Sequence, residues 1–150
     1  MIVCFDTNVF GYAIDATAGW RHVTALDLVE RALGSGEAVL ILQTLAEFYT
    51  MATRKLETSP DDACSFLAGL RAVLPVYAAT DPDLDKAMEG ARRHGLSFWD
   101  AMLWATADRI GVKYLLTEDF QDRRVLGGVT FVDPFQGENE ALLTTILPLS

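Results

Sequence analysis

The sequence predicts an α/β fold, with a parallel sheet, helices on both faces and right-handed crossovers. Three observations carry that expectation. Short apolar runs of strand type alternate with stretches of helical periodicity along the chain. The run Ala38–Leu42 is wholly apolar, the mark of a strand covered on both faces. The first run, Ile2-Val3-Cys4-Phe5, ends abruptly in a carboxylate, a hydroxyl and an amide, Asp6-Thr7-Asn8. Ile2, Val3 and Phe5 suit a pleated, buried strand, and Asp6 and Asn8 suit turns and helix caps. In an open parallel sheet ligands bind at the carboxyl ends of the strands. Asp6 stands at such an end, and an acid ending a buried strand is costly without a partner.

The chain of 150 residues is 51% hydrophobic and 22% charged, a composition that folds and a length that suits one domain over residues 1–150. No apolar run approaches the roughly 20 residues of a membrane span. The N-terminus lacks the basic start and small-residue cleavage site of a signal peptide, so a cytoplasmic location is expected. The formal net charge of −9 argues against nucleic-acid binding through a broad basic face. An acidic metal site served by a few local arginines is compatible with it. Cys4 and Cys64 show no zinc-type spacing; the first reads as a strand residue and the second as part of a helix face. His22 and His94, each beside an arginine, read as surface residues.

After Asn8 a short helical stretch runs through Tyr12 and Ile14, followed by a loop with Asp15, Thr17 and Gly19. Trp20 to Leu33 is expected to be an amphipathic helix on the spacing of Val23, Leu26, Val29 and Leu33, stopped by Gly34-Ser35-Gly36. After the second strand, Thr44-Leu45-Ala46-Glu47 is a capping-box pattern that opens a helix to about Leu56. Pro60, at the favoured first position, opens another through Phe66, Leu70 and Val73, and Val76-Tyr77-Ala78 is a short strand. Asp81-Pro82 opens a helix through Leu84, Ala87 and Met88 that Gly95 closes; Ser97-Phe98-Trp99-Asp100 opens the next, closed by Gly111. Val112–Thr117 is a strand, Glu118–Asp122 a loop or helical turn, Gly127-Gly128 a turn, Val129–Val132 a last strand, and Leu142 to Leu147 a final helix.

Four acids fall beyond strands or at helix starts: Asp6, Glu47, Asp100 and Asp119. Asp119 belongs at the carboxyl edge of the sheet, and Glu47 is within reach of it if its helix starts there. Asp100 joins them if its helix enters from that side. Each has a plainer reading as well. Glu47 and Asp100 stand third after Thr44 and Ser97 and would cap their helices, and Asp119 would be a loop acid. Gathered together the four would repel, two charges about 4 Å apart costing roughly 4 kcal/mol at an effective dielectric near 20. Either some are protonated or a divalent cation neutralises them. Oxygen ligands without His or Cys favour Mg2+ or Mn2+, and carboxylate-held Mg2+ is typical of phosphate chemistry. Asp108 and Asp122 lie near enough to these segments to be watched.

With those residues placed, the sequence resembles the PIN-domain family, and within it the bacterial toxin ribonucleases of the VapC type. The resemblance rests on Phe5-Asp6-Thr7-Asn8-Val9, on Glu47, on Ser97-Phe98-Trp99-Asp100-Ala101, on Leu115-Leu116-Thr117-Glu118-Asp119-Phe120, and on the ending Val129–Phe135. It implies a Rossmann-like three-layer α/β/α sandwich with a short parallel sheet. It implies a Mg2+-dependent or Mn2+-dependent endoribonuclease in which Asp6, Glu47, Asp100 and Asp119 carry the metal. Water activated by that metal attacks the RNA phosphodiester, with one carboxylate as a candidate general base. Thr7, Asn8 and Thr117 then orient carboxylates or waters, and Glu118 is an alternative to Asp119. The resemblance further implies a homodimer and a cognate antitoxin that blocks the site.

For the RNA backbone, Arg123-Arg124 is the favoured cationic contact, being nearest to Asp119 in sequence, with Arg54-Lys55 and Arg92-Arg93 as the other clusters. Two other readings compete. An Asp-based phosphotransfer protein also places an aspartate after its first strand, but here Asn8 stands where a second aspartate is wanted, and Lys113 precedes its strand. A non-catalytic interaction domain would use the acids only as caps. No glycine-rich phosphate loop follows the first strand.

Overall fold

The computed structural model describes residues 2–149. Strands β1 (Val3–Phe5), β4 (Tyr114–Leu116) and β6 (Val129–Val132) run parallel side by side, with β4 in the middle. Strands β2 (Leu40–Ile41) and β3 (Val76–Tyr77) pair in parallel with each other. A parallel bridge between Val3 and Ala38 joins them to β1, with Val39 N–H donating to the Val3 carbonyl at 2.9 Å. The order is therefore β3-β2-β1-β4-β6, and β5 (Val125–Leu126) closes the far edge. β5 pairs antiparallel with β6, a departure from the all-parallel expectation. The turn Gly127-Gly128 is only two residues long, and a link that short can return the chain only as a hairpin.

Helices cover both faces. On one side Val3, Phe5, Leu40, Leu116 and Val132 pack with α1 (Thr7–Ile14), α2 (Trp20–Ser35), α3 (Leu42–Arg54), α4 (Pro60–Arg71) and α7 (Glu140–Ile146). On the other, Cys4, Ile41, Leu115 and Phe131 pack with α5 (Asp81–His94) and α6 (Phe98–Arg109). Alternate residues of each strand thus enter opposite cores, which is why the strands read as unbroken apolar runs.

Local signals set most helix ends. Ser59 and Ser97 accept hydrogen bonds from the N–H groups of Asp62 and Asp100, and Gly36 and Gly95 close α2 and α5 in the left-handed conformation. The Thr44–Glu47 capping box does not form. α3 begins at Leu42, directly after β2, and the Thr44 hydroxyl donates back to the Ile41 carbonyl at 2.7 Å. That removes Glu47 from the first turn and turns its carboxylate to other partners.

The buried stripe of α2 also differs from the expected one. Ala25, Leu28, Val29 and Ala32 face the core, whereas Val23 and Leu26 are exposed. On α5, Leu84 and Met88 are likewise exposed, and Ala87 and Gly90 are buried. Small residues, Ala25 and Ala32 in α2 and Ala87 and Gly90 in α5, contribute to both buried stripes, which lets backbones approach closely. Gly90 shows how closely. A methyl group there would lie 2.8 Å from Cζ3 of Trp104, whose indole is fixed by a 3.0 Å hydrogen bond to the Leu126 carbonyl. Gly90→Ala is therefore expected to destabilise the fold by about 1–3 kcal/mol through overpacking. Thermal unfolding measures this, and an unchanged midpoint would show that α5 and α6 can part without cost.

Candidate active site

Asp6 leaves β1 where the strand order reverses, between β1 and β4, the place at which open α/β sheets form ligand crevices. Its N–H donates to the Leu116 carbonyl at 2.9 Å, so its backbone continues the ladder. Its carboxylate caps α1, accepting from Thr7 N–H at 2.7 Å, and its second oxygen accepts from the Thr117 hydroxyl at 2.8 Å. The side chain is buried. Burial pushes its pKa up to about 6, against the lowering effect of those two hydrogen bonds; the charges of Asp119 and Asp100 push the same way as burial.

Asp119 lies in the loop after β4. Asn8 Nδ2 donates to its Oδ2 at 2.9 Å, and its N–H donates to the Thr117 hydroxyl at 3.1 Å. Its pKa is raised by burial first, then by the charges of Asp100, Glu118 and Asp133. Asp100 stands in the first turn of α6, and that helix does enter from the carboxyl edge: Gln43 Nε2, at the start of α3, reaches the carbonyl of Trp99 at 2.9 Å. Glu47 joins through Thr7, whose hydroxyl donates to Glu47 Oε2 at 3.3 Å, while Gln43 Nε2 holds Glu47 Oε1 at 2.7 Å.

The structure thus brings Asp6, Asp100 and Asp119 within mutual electrostatic reach and ties Glu47 to the same centre. Thr7, Asn8 and Thr117 each hold one of these acids. Among the described residues, no three His, Cys, Asp or Glu side chains are grouped tightly enough to enclose an ion as they stand. The donor set nevertheless fits a hard divalent cation. It is oxygen-only and anionic, and its central carboxylate resists ionisation through burial first and then through the charges of Asp119 and Asp100. Asn8, which holds Asp119, and Gln43, which holds Glu47, each carry a buried amide oxygen, Oδ1 and Oε1, with no hydrogen-bond donor among the described residues. Each is an acceptor that a cation and its waters would satisfy.

Other acids have structural roles. Glu118 is held by the Tyr12 hydroxyl at 2.5 Å and by Arg21 Nε at 3.4 Å. Asp122 accepts from Asp133 N–H and from Asn139 Nδ2, both at 2.9 Å, and Asp108 is paired with Lys86 and Gly128 N–H. The arginine pair chosen from the sequence is also engaged: Arg123 Nε donates to Asn139 Oδ1 at 2.6 Å and Arg124 Nη2 to the His94 carbonyl at 3.0 Å. Gln43, Tyr12 and Arg21 were missed. Only Gln43 carried a signal, four residues before Glu47 on one helix face.

The sequence profile of the PIN domain matches residues 3–125. The chain belongs to the PIN-domain family. Solved structures repeat the fold. The VapC20 sarcin–ricin loop cleaving toxin of Mycobacterium tuberculosis is 24% identical, with a TM-score of 0.61 over 78% of this chain and 89% of that one. A toxin–antitoxin complex from Klebsiella pneumoniae is 21% identical, with a TM-score of 0.62 over 89% of this chain and 98% of that one. VapBC2 of Rickettsia felis, bound to a promoter DNA fragment, is 15% identical, with a TM-score of 0.63 over 87% and 97%. No curated protein matches this PIN domain. No helix among its described residues is long and apolar enough to cross a membrane.

Proposed function

We propose that this PIN domain is a divalent-cation-dependent endoribonuclease and the toxin of a toxin–antitoxin pair. The observation that carries the reading is Asp6. It is a carboxylate at the switch point of the sheet whose ionisation is resisted first by burial and then by the charges of Asp119 and Asp100. Family membership supports the nuclease reading, and the likeness to a structure described as a loop-cleaving toxin supports the toxin reading.

Asp6, Asp100, Asp119 and Glu47 would hold the cation, Mg2+ in the first instance and Mn2+ as an alternative. When bound, it supplies charge neutralisation at the phosphodiester and makes water more acidic. The chain's own contribution is to fix the acids beforehand. Thr117 and the α1 N-terminus aim Asp6, Asn8 aims Asp119, and Thr7 with Gln43 aims Glu47. Holding the carboxylates in place before substrate arrives lowers the reorganisation required in the transition state.

The partners under this reading are an RNA substrate, a cognate antitoxin that covers the site and a second copy of the chain, all in the cytoplasm. The purified protein is expected to cut RNA with Mg2+ or Mn2+ and to stop when EDTA is added. Its induced expression is expected to arrest growth, and mapping of new RNA ends identifies the target. Equal cleavage in EDTA would defeat the metal-dependent reading; the absence of both cleavage and arrest would defeat the nuclease reading altogether.

A further inference from the structure

We infer that Trp20 and Arg21 grip the RNA beside the acid site, Arg21 taking a phosphate next to the one that is cut and Trp20 carrying an adjoining unpaired base. The inference rests on the nuclease reading and adds the residues that hold its substrate.

A protein of net charge −9 with converging carboxylates repels a polyanion, so a cation fixed close to the acids is needed. Arg21 is that cation. Its Nε is paired with Glu118, the chain neighbour of Asp119. Its guanidinium carbon lies 4.7 Å from the ring centre of Trp20, 5.5 Å from that of Phe135 and 5.8 Å from that of Tyr12. Those rings brace one another edge to face, and the Tyr12 hydroxyl holds the same Glu118. The guanidinium is therefore fixed in position, while neither of its Nη groups makes a hydrogen bond among the described residues. A fixed fork with free N–H groups suits a phosphate. Arg123 and Arg124 bond instead to Asn139 and the His94 carbonyl, neither of which holds one of the four acids.

Trp20 supplies the second half of the grip. It is 56% exposed at the first position of α2, although it contacts Phe135 and Arg21. With Val23, Phe135 and Gln136 it lines a cavity of about 550 Å3. A flat, exposed aromatic face beside a phosphate-binding cation is how proteins hold unpaired nucleotides, because every base offers a face to stack.

The test uses the cleavage-inactive Asp6→Asn protein and a short fluorescein-labelled single-stranded RNA of mixed sequence, with binding followed by anisotropy over a range of salt. Adding Arg21→Ala is expected to weaken binding about tenfold and to lower the salt slope by about one. Adding Trp20→Ala is expected to weaken binding about tenfold without changing the slope, and Trp20→Phe to restore most of the loss. Arg71→Ala, a charge-matched control on α4, is expected to change neither affinity nor slope. Arg21→Lys guards against misfolding, since it keeps the charge and hence the slope. If Arg21→Ala and Trp20→Ala bind like the parent while the wild type cuts RNA, the grip is overturned and the nuclease reading stands. If the parent binds no RNA and the wild type cuts none, both are overturned.

Discussion

Asp6→Asn is expected to lower RNA cleavage by at least about a thousandfold while making the metal-free protein more stable at neutral pH. The two effects have one cause. Asp6 is held at a pKa of about 6 in the folded protein, chiefly by burial, against an ordinary aspartate value of 3.8. A carboxyl group whose folded pKa is raised contributes most below its unfolded pKa, and that contribution is lost as pH rises through the folded value. Ionised Asp6 therefore costs the metal-free fold on the order of 3 kcal/mol at pH 7. Asparagine removes the charge and keeps the contacts. Its carbonyl oxygen accepts from Thr7 N–H, and its amide donates to the Thr117 hydroxyl, which turns to accept. Urea titrations without metal should show wild-type stability falling between about pH 4 and pH 7, and a flatter profile for Asp6→Asn. Mg2+ or Mn2+ should raise the wild-type midpoint and leave the variant unmoved. An active Asp6→Asn, or one destabilised at pH 7, would make Asp6 an ordinary cap.

The second large effect is expected at Asp100. Asp100→Asn should also abolish cleavage, with a stability change of only a few tenths of a kcal/mol from the weakened helix-end charge. The cap of α6 runs from Asp100 N–H to the Ser97 hydroxyl and does not use the Asp100 carboxylate, so the substitution leaves it intact. The capping interpretation predicts the opposite, a lower unfolding midpoint with activity retained. A further readout separates the two. After burial, the charge of Asp100 is the main cause of the raised pKa of Asp119, so Asp119 should titrate lower in Asp100→Asn, measured by NMR. An unmoved Asp119 would place Asp100 outside the cluster.

Both predictions concern residues that were readable in the sequence, and the reason is local. Ile2 to Phe5 could only be a buried strand, so the acid that ended it stood out before any contact was known. Ser59, Ser97, Gly36 and Gly95 act within a turn of their own helix, and their helices end where the sequence places them. Thr44 is the counterexample. Its pattern matched a cap, but α3 follows β2 without a break, and the hydroxyl turned to Ile41. Glu47 kept its place at the site for a different reason from the one expected: Thr7, forty positions away, reaches it.

What the sequence alone determined was the alternation of strand and helix, most helix termini and the positions of the four candidate acids. Those follow from steric preference, apolar period and hydrogen bonds within a few residues, while the family was legible in its motifs. The tertiary structure decided which face of α2 and α5 is buried, because only close packing shows that alanine and glycine seek the interface while Val23, Leu84 and Met88 do not. It decided that β5 is antiparallel, through a turn too short for a crossover. It also decided which arginine lies against the loop that carries Asp119, the one we infer to hold RNA. Arg123 and Arg124 lie near Asp119 in the chain, but their hydrogen bonds lead elsewhere. Arg21, almost a hundred residues from Glu118, is brought to it by α2 and held there by three aromatic rings. Long-range contact of this kind leaves no periodic mark in a single sequence, since neither partner alone constrains its neighbours.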